Sequence, residues 1–264
     1  MKAVILAAGQ GSRLHPYTEN CPKALIKINK LTLLEWQLWH FIKNGINEFI
    51  IVVGFKADDF EKVLENFKKQ HPFIRYELIY NHYYLQSENI LSCYLALNHY
   101  QKECIVVNGD VLFPISFVKE LITKATEDIH LLYSAKSQYD DDDMKISKQG
   151  PFLKSVDKNM PTQFIEGESI GMLFLSVKGA KCLHDEIEHM LKNGQNQQNW
   201  YLKAIDNLAG QMPIHLIPAP EQNWCEIDYP NDLLDGEKLT KKWLTESTIK
   251  LISELEEIKE DSLY

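Results

Sequence analysis

The sequence predicts an α/β protein built on a doubly wound, mostly parallel sheet flanked by helices. Three observations carry that expectation. Apolar runs such as Ala3-Val4-Ile5-Leu6, and the stretch 48–53, are unbroken in the way of strands buried on both faces. Segments of helical period separate them: 32–44, with Leu34, Leu38, Phe41 and Ile42 on one face, and 57–70, with Phe60, Val63, Leu64 and Phe67 inward. A third strand at 74–80 completes the order strand, helix, strand, helix, strand, which is the grammar of an open α/β sheet.

The first strand runs into Leu6, Ala7, Ala8, Gly9, Gly11 and Ser12. Small residues and glycines let main-chain N–H groups close on a phosphate chain, because no bulky side chain blocks the approach. Arg13 adds a fork of donors and Lys23 a mobile point charge, on a loop stiffened by Pro16 and Pro22. The stretch reads as a triphosphate cradle. Two other readings fail: Leu14 stands where a dinucleotide fingerprint needs its third glycine, and no Gly-Lys-Ser/Thr of a P-loop exists.

A short strand is expected at 25–28, then the helix 32–44, ended by Gly45. Between 81 and 97, Asn81, Gln86, Ser87, Glu88, Asn89 and Ser92 crowd the start of a short helix. They fit an N-cap cluster with Ser87 capping and Glu88 favouring the helix dipole, and they equally fit a polar pocket for a base. The strand 104–107 leads into Asn108-Gly109-Asp110. Pro114 and a helix at 115–126 argue against a hairpin there, and a carboxylate just past such a strand sits where open sheets bind ligands.

Further strands are expected at 129–135 and 170–177, a hairpin around Gly150, helices at 180–192 and 201–209, and a late strand at 214–217. The run Asp140-Asp141-Asp142-Asp143 reads as a solvated loop, with the edge of an acceptor pocket as the alternative. In Trp224-Cys225-Glu226-Ile227-Asp228-Tyr229-Pro230, Glu226 and Asp228 are two apart on an extended segment and project to one side. Asp228 could instead cap the helix that follows. Trp200, Tyr201 and Trp224 fit an aromatic wall or core packing alike. The chain divides into a body, 1–236, and a charged helical extension, 237–264, read as packing on the body, with a homodimer contact as the alternative.

A net charge of -9 argues against a nucleic-acid surface. No apolar run approaches the ~18 residues of a membrane span, and the amino terminus goes straight into a strand, so no signal peptide is expected. Five cysteines without paired spacing are expected as reduced thiols, in keeping with a cytoplasmic location.

As a set, Leu6-Ala7-Ala8-Gly9, Gly11-Ser12-Arg13-Leu14, Pro16, Pro22-Lys23-Ala24-Leu25, Gly109-Asp110 and Trp224-x-Glu226-Ile227-Asp228-x-Pro230-x-Asp232-Leu233 resemble the nucleotidyltransferases that join a nucleoside triphosphate to a sugar 1-phosphate or a phosphocholine-type acceptor. The likeness covers about residues 1–234. It implies a Rossmann-like mixed sheet of the nucleotide-diphospho-sugar transferase type. It also implies Mg²⁺ on Asp110 and Asp228 with Glu226 close by, Arg13 and Lys23 on the phosphates, and Gly171 beside the acceptor. The Asn/Ser-rich stretch that holds Gln86, Ser87, Asn89 and Ser92 matches the base pocket of the cytidylyl-transferring branch; the glycine-rich run of dTTP and UTP enzymes is absent. The resemblance therefore implies transfer of CMP from CTP to a small phosphate- or phosphonate-bearing acceptor, with a sugar-1-phosphate nucleotidyltransferase as the alternative. It points toward cell-surface polymer or lipid head-group assembly without distinguishing them. One departure stands out: Leu202 and Lys203 occupy positions that carry two acidic residues in the phosphocholine and aminoalkylphosphonate branch.

Overall fold

In a computed structural model, which describes residues 1–125, 128–193, 199–219 and 223–246, β1 (Lys2–Ala7) lies inside a sheet, with strands on both sides. Two short strands, β2 (Lys27–Ile28) and β3 (Leu31–Thr32), precede α1 (Leu33–Ile42), β4 (Glu48–Val53), α2 (Ala57–Gln70), β5 (Arg75–Tyr80) and α3 (Asn89–His99). Next come β6 (Cys104–Asn108), β7 (Val111–Leu112), α4 (Ile115–Lys124), β8 (Ile129–Ser134), the hairpin of β9 (Lys145–Gln149) and β10 (Phe152–Asp157), and the long β11 (Gly167–Leu175). The described chain closes with α5 (Val177–Lys192), α6 (Tyr201–Ala209), β12 (His215–Ala219), β13 (Cys225–Glu226) and α7 (Pro230–Glu246).

Among the described residues the main sheet has nine strands, in the order β5-β4-β1-β6-β11-β8-β12-β10-β9. β5, β4, β1 and β6 pair in parallel, and β8 pairs in parallel with β12. Only β11 and β10 run against the rest, each antiparallel to both of its neighbours in that order. The expected mixed, mostly parallel, doubly wound sheet is present.

Alternation along β1 explains the two layers of helix. Ala3, Ile5 and Ala7 face Leu34, Leu38 and Phe41 of α1 and Phe60 and Leu64 of α2. Val4 and Leu6 face Ile90, Cys93 and Leu97 of α3 and Leu183 and Ile187 of α5. Burying Val4 or Ile5 completely contributes about 1.5–3 kcal/mol each. A capping box starts α1: the Glu35 N–H donates to Thr32 Oγ1 at 3.1 Å and the Thr32 N–H to Glu35 Oε2 at 2.7 Å.

The strand expected at 25–28 is shortened to β2, because Lys23–Leu25 form a 3₁₀ turn begun by Pro22 and closed by the Leu25 N–H on the Pro22 carbonyl at 2.8 Å. A third apolar cluster joins Leu14, Ile28, Trp36, Leu112, Ile227 and Trp243 beneath α7. The Trp243 ring stands edge-on to Trp36 at 6.2 Å. α7 runs unbroken across residues 236 and 237, the division expected between body and extension. Residues 247–264, with Ile249, Leu251, Ile252, Leu255 and Ile258, lie outside the described residues, as does most of the polar loop after α5. All five cysteines are free thiols, and no described helix is long and apolar enough to cross a membrane.

Candidate active site

β1 and β6 end side by side, and there the Gly109 N–H donates to the Leu6 carbonyl at 2.9 Å. A cleft of about 630 Å³ opens at this edge. Leu6, Ala7, Ala8, Gly9, Gly11 and Ser12 form one wall, and Gln86, Ser87, Asn89 and Ser92 another. Arg13, Lys23, Gly109, Asp110, Glu226 and Asp228 also line it. Gly11 adopts φ +75°, and a Cβ there would lie 2.9 Å from the Lys23 stem, so only glycine leaves Lys23 its path into the cleft.

Lys23 Nζ donates to Asp110 Oδ2 at 2.8 Å and to Asp228 Oδ1. Burial opposes the ammonium charge, but the two carboxylates outweigh it and raise the pKa, so Lys23 stays charged. The two acidic segments meet because β7 and β13 pair antiparallel, Val111 opposite Glu226, with the Ile227 N–H on the Asp110 carbonyl at 3.0 Å. From α1, the buried Gln37 amide donates to the Asn108 carbonyl at 2.9 Å and to the Val111 carbonyl at 2.7 Å, clamping the turn that carries Asp110. Asp232 accepts from the Asp228 and Tyr229 N–H groups at 2.8 and 2.7 Å and so starts α7, leaving the Asp228 carboxylate to the cations. Burial first, then the charges of Asp110 and Asp228, hold the Glu226 carboxyl well above the usual carboxylate range.

Arg13 closes the rim. Its guanidinium donates to Asp228 Oδ2 at 2.9 Å, Asp142 Oδ2 at 2.7 Å and Tyr229 Oη at 3.2 Å, and lies 5.0 Å from the Tyr229 ring centre. Burial disfavours its charge, yet Asp228, Tyr229 and Asp142 raise its pKa further.

Among the described residues no three acidic, histidine or cysteine side chains close round a metal ion on their own. Asp110 Oδ1, however, is buried with no hydrogen-bond partner, next to Asp228 across Lys23. Two hard carboxylates with an unused lone pair would suit a hard divalent cation such as magnesium.

Residues 3–198 match the family described as the MobA-like NTP transferase domain. The chain belongs to that family. Its similarities include a choline-phosphate cytidylyltransferase of Streptococcus pneumoniae, 36% identical over 48% of this chain and 52% of the relative. A bifunctional IPC transferase and DIPP synthase of Aquifex aeolicus is 29% identical over 94% of this chain and 53% of the relative. The chain thus spans about half the length of these two relatives, 52% and 53%. Among solved structures, the CTP:phosphocholine cytidylyltransferase of Streptococcus pneumoniae superposes with a TM-score of 0.72 at 20% identity, covering 90% of this chain and 98% of that one. The fold is that of the nucleotide-diphospho-sugar transferases.

The structure brings together all the residues expected at the phosphates and the metal, and every residue expected at the nucleotide. Three of the four residues expected at the acceptor are elsewhere. Tyr201 is fully buried in the core between α3 and α6, because it opens α6 on the helix's inner face. Trp224 packs on the α1–α2 side of the sheet and does not line the cleft. Gly171, at φ +68°, makes room for Asn108, whose Nδ2 would be 2.5 Å from a Cβ, and does not itself line the cleft. Trp200 does line the cleft.

Ser87 does not cap α3. Glu88 holds the N-cap position, and Ser87 Oγ donates to the Tyr83 carbonyl at 2.9 Å. Asn89 is largely committed to protein, donating to Asn108 Oδ1 at 3.2 Å and accepting from the Tyr201 N–H at 3.0 Å. Sequence reasoning missed Gln37 and Lys158, and it gave the run that holds Asp142 a place at the pocket edge only as the alternative to a solvated loop. A glutamine inside the apolar run of α1 was the signal for the first; among four identical aspartates, nothing singled out Asp142.

Proposed function

We propose that the chain is a cytidylyltransferase that transfers CMP from CTP to a small phosphomonoester or phosphonate and releases pyrophosphate. The convergence of Lys23 and Arg13 on Asp110 and Asp228, beside the glycine-lined loop, carries this reading. The names of the pneumococcal relatives support cytidylyl transfer to a phosphate ester. Gln86, Ser87 and Ser92 line the cleft with amide and hydroxyl groups of the kind that pair with the edges of cytosine, which supports CTP as the nucleotide.

An acceptor oxygen, already ionised, attacks the α-phosphorus in line. The new oxygen–phosphorus bond forms as the bond to the bridging oxygen breaks, and its electron pair leaves with pyrophosphate. No side-chain nucleophile or proton transfer is needed; positioning and charge neutralisation suffice. Lys23 draws donor and acceptor phosphates together, and Arg13 stabilises the charge that builds on the leaving group. Their ion pairs with Asp228, Asp110 and Asp142 hold both cations charged and oriented before nucleotide arrives. Asp110 and Asp228, with Glu226 alongside, would hold Mg²⁺, which when bound supplies further charge neutralisation at the phosphates.

The reading carries a cytoplasmic location, and it is tested by pyrophosphate release from CTP, UTP, dTTP and GTP with a panel of phosphate acceptors. CTP should be the productive nucleotide. Equal or faster turnover of UTP or dTTP with a sugar 1-phosphate would replace the proposal with sugar-nucleotide synthesis.

A further inference from the structure

Lys158, just after β10, places its ammonium 4.0 Å from the centre of the Trp200 ring and 3.2 Å from Asp142 Oδ1. All three side chains line the cleft. We propose that Lys158 selects the acceptor, and that the acceptor carries a second negative group, a carboxylate, rather than an alkylammonium. This rests on the cytidylyl-transfer reading and adds the chemical class of its second substrate.

An alkylammonium acceptor is recognised by open aromatic faces and uncommitted carboxylates. Beside Lys158 both are already engaged, the face of Trp200 and the carboxylate of Asp142. The Trp200 face already holds the chain's own cation, and a second positive charge there would meet Lys158. Tyr84, the other aromatic side chain on the wall, packs against Phe55 at the base-side loop. Asp142 is shared among Lys158, Arg13 and the Tyr229 hydroxyl. After Tyr201, Leu202 is buried and Lys203 pairs with Asp206 at 2.8 Å.

The arrangement is built rather than incidental. Lys145 is 6% exposed, and its ammonium donates to the carbonyls of Asp140 at 2.6 Å and Lys158 at 2.8 Å, with longer contacts of 3.4 Å to those of Asp141 and Asp143. One buried cation therefore ties the loop that carries Asp142 to the backbone that carries Lys158. An ammonium has three donors, and one of those on Lys158 is taken by Asp142. What remains favours a carboxylate.

The test uses the full chain with CTP and Mg²⁺ and reads kcat/KM from pyrophosphate release with phosphoglycolate, glycerol phosphate and phosphocholine. Phosphoglycolate should exceed phosphocholine by about tenfold or more, the scale of one charge-assisted contact. Lys158→Glu should invert that ratio and Lys158→Arg should keep it. A purely structural role would lower all three acceptors together and leave the ratio unchanged, which would overturn the proposal. Preference for phosphocholine by the unmodified chain would overturn it too, with cytidylyl transfer intact. Absence of turnover with every acceptor would remove cytidylyl transfer and this inference with it.

Discussion

Lys23 Nζ stands 2.8 Å from Asp110 Oδ2, and the same ammonium also holds Asp228. One buried cation thus balances acidic groups from two separate segments, the turn between β6 and β7 and the stretch after β13. Under the proposed function, Lys23→Ala should lower turnover on the order of 10²–10³-fold while far-UV circular dichroism is preserved. Without the ammonium, the carboxylates attract metal more strongly. Mg²⁺ should therefore raise the melting temperature of the variant more than that of the parent. An equal Mg²⁺ response in both would count against this placement of the cation.

Gly11→Ala should cost about 1–2 kcal/mol from the left-handed backbone alone, and its Cβ would push on Lys23. We expect a lower melting temperature together with a lower kcat. A variant as stable and as active as the parent would show that Lys23 does not need this path.

Gln37→Leu removes two donors and leaves the Asn108 and Val111 carbonyls without them. The expected loss is about 1–3 kcal/mol, read by denaturant titration. Because the turn carrying Asp110 loosens, kcat should fall even well below the melting temperature. Loss of stability with normal kcat would reduce Gln37 to a packing role.

Tyr201 Oη is buried without a hydrogen-bond partner. Tyr201→Phe should thus be neutral or stabilising, and the KM for acceptor should stay within about twofold. Trp200→Ala, by contrast, should raise that KM. A large acceptor effect in Tyr201→Phe would return this residue to the acceptor wall.

Burial pushes Glu168 up to about 8 against the opposing pull of Lys136, which lies 2.8 Å away. Unfolded, the group titrates near 4.5, so between these values the folded state holds more protons and stability falls as pH rises. His40 and His130 are driven by burial to about 4, which makes stability rise with pH up to their ordinary value of 6.5. The effects oppose each other below 6.5; above it, the Glu168 contribution runs on without theirs to about 8. Melting temperatures should therefore decline from pH 6.5 to 8, and Glu168→Gln should flatten that decline. An unchanged slope would contradict the assignment.

Much of this was legible in the chain. The helix at 57–70 and the strand at 48–53 fall at the expected bounds, because their apolar spacing leaves one way to bury Phe60, Leu64 and the β4 side chains. The meeting of Lys23, Asp110 and Asp228 was implied by the motifs that resemble the nucleotidyltransferases; the strand before Asp110 by itself placed only that carboxylate at the ligand edge of the sheet. The acceptor end was not. Trp200 and Tyr201 are neighbours, yet where α6 begins turns one toward the cleft and the other into the core, a choice composition does not encode. Asp142 is singled out from three identical neighbours only by the Lys145 contacts that shape the loop. Ser87 looked like a cap because of its position, but a nearby carbonyl claimed its hydroxyl.

The order in which the sheet and the β7–β13 ladder are completed bears on biosynthesis. The last strand of the main sheet ends in sequence at Ala219, whereas Glu226 lies on β13 and Asp228 just after it. A nascent chain that has released Ala219 for pairing already carries Glu226 and Asp228 in its following residues, so the sheet and its last acidic arm become available almost together.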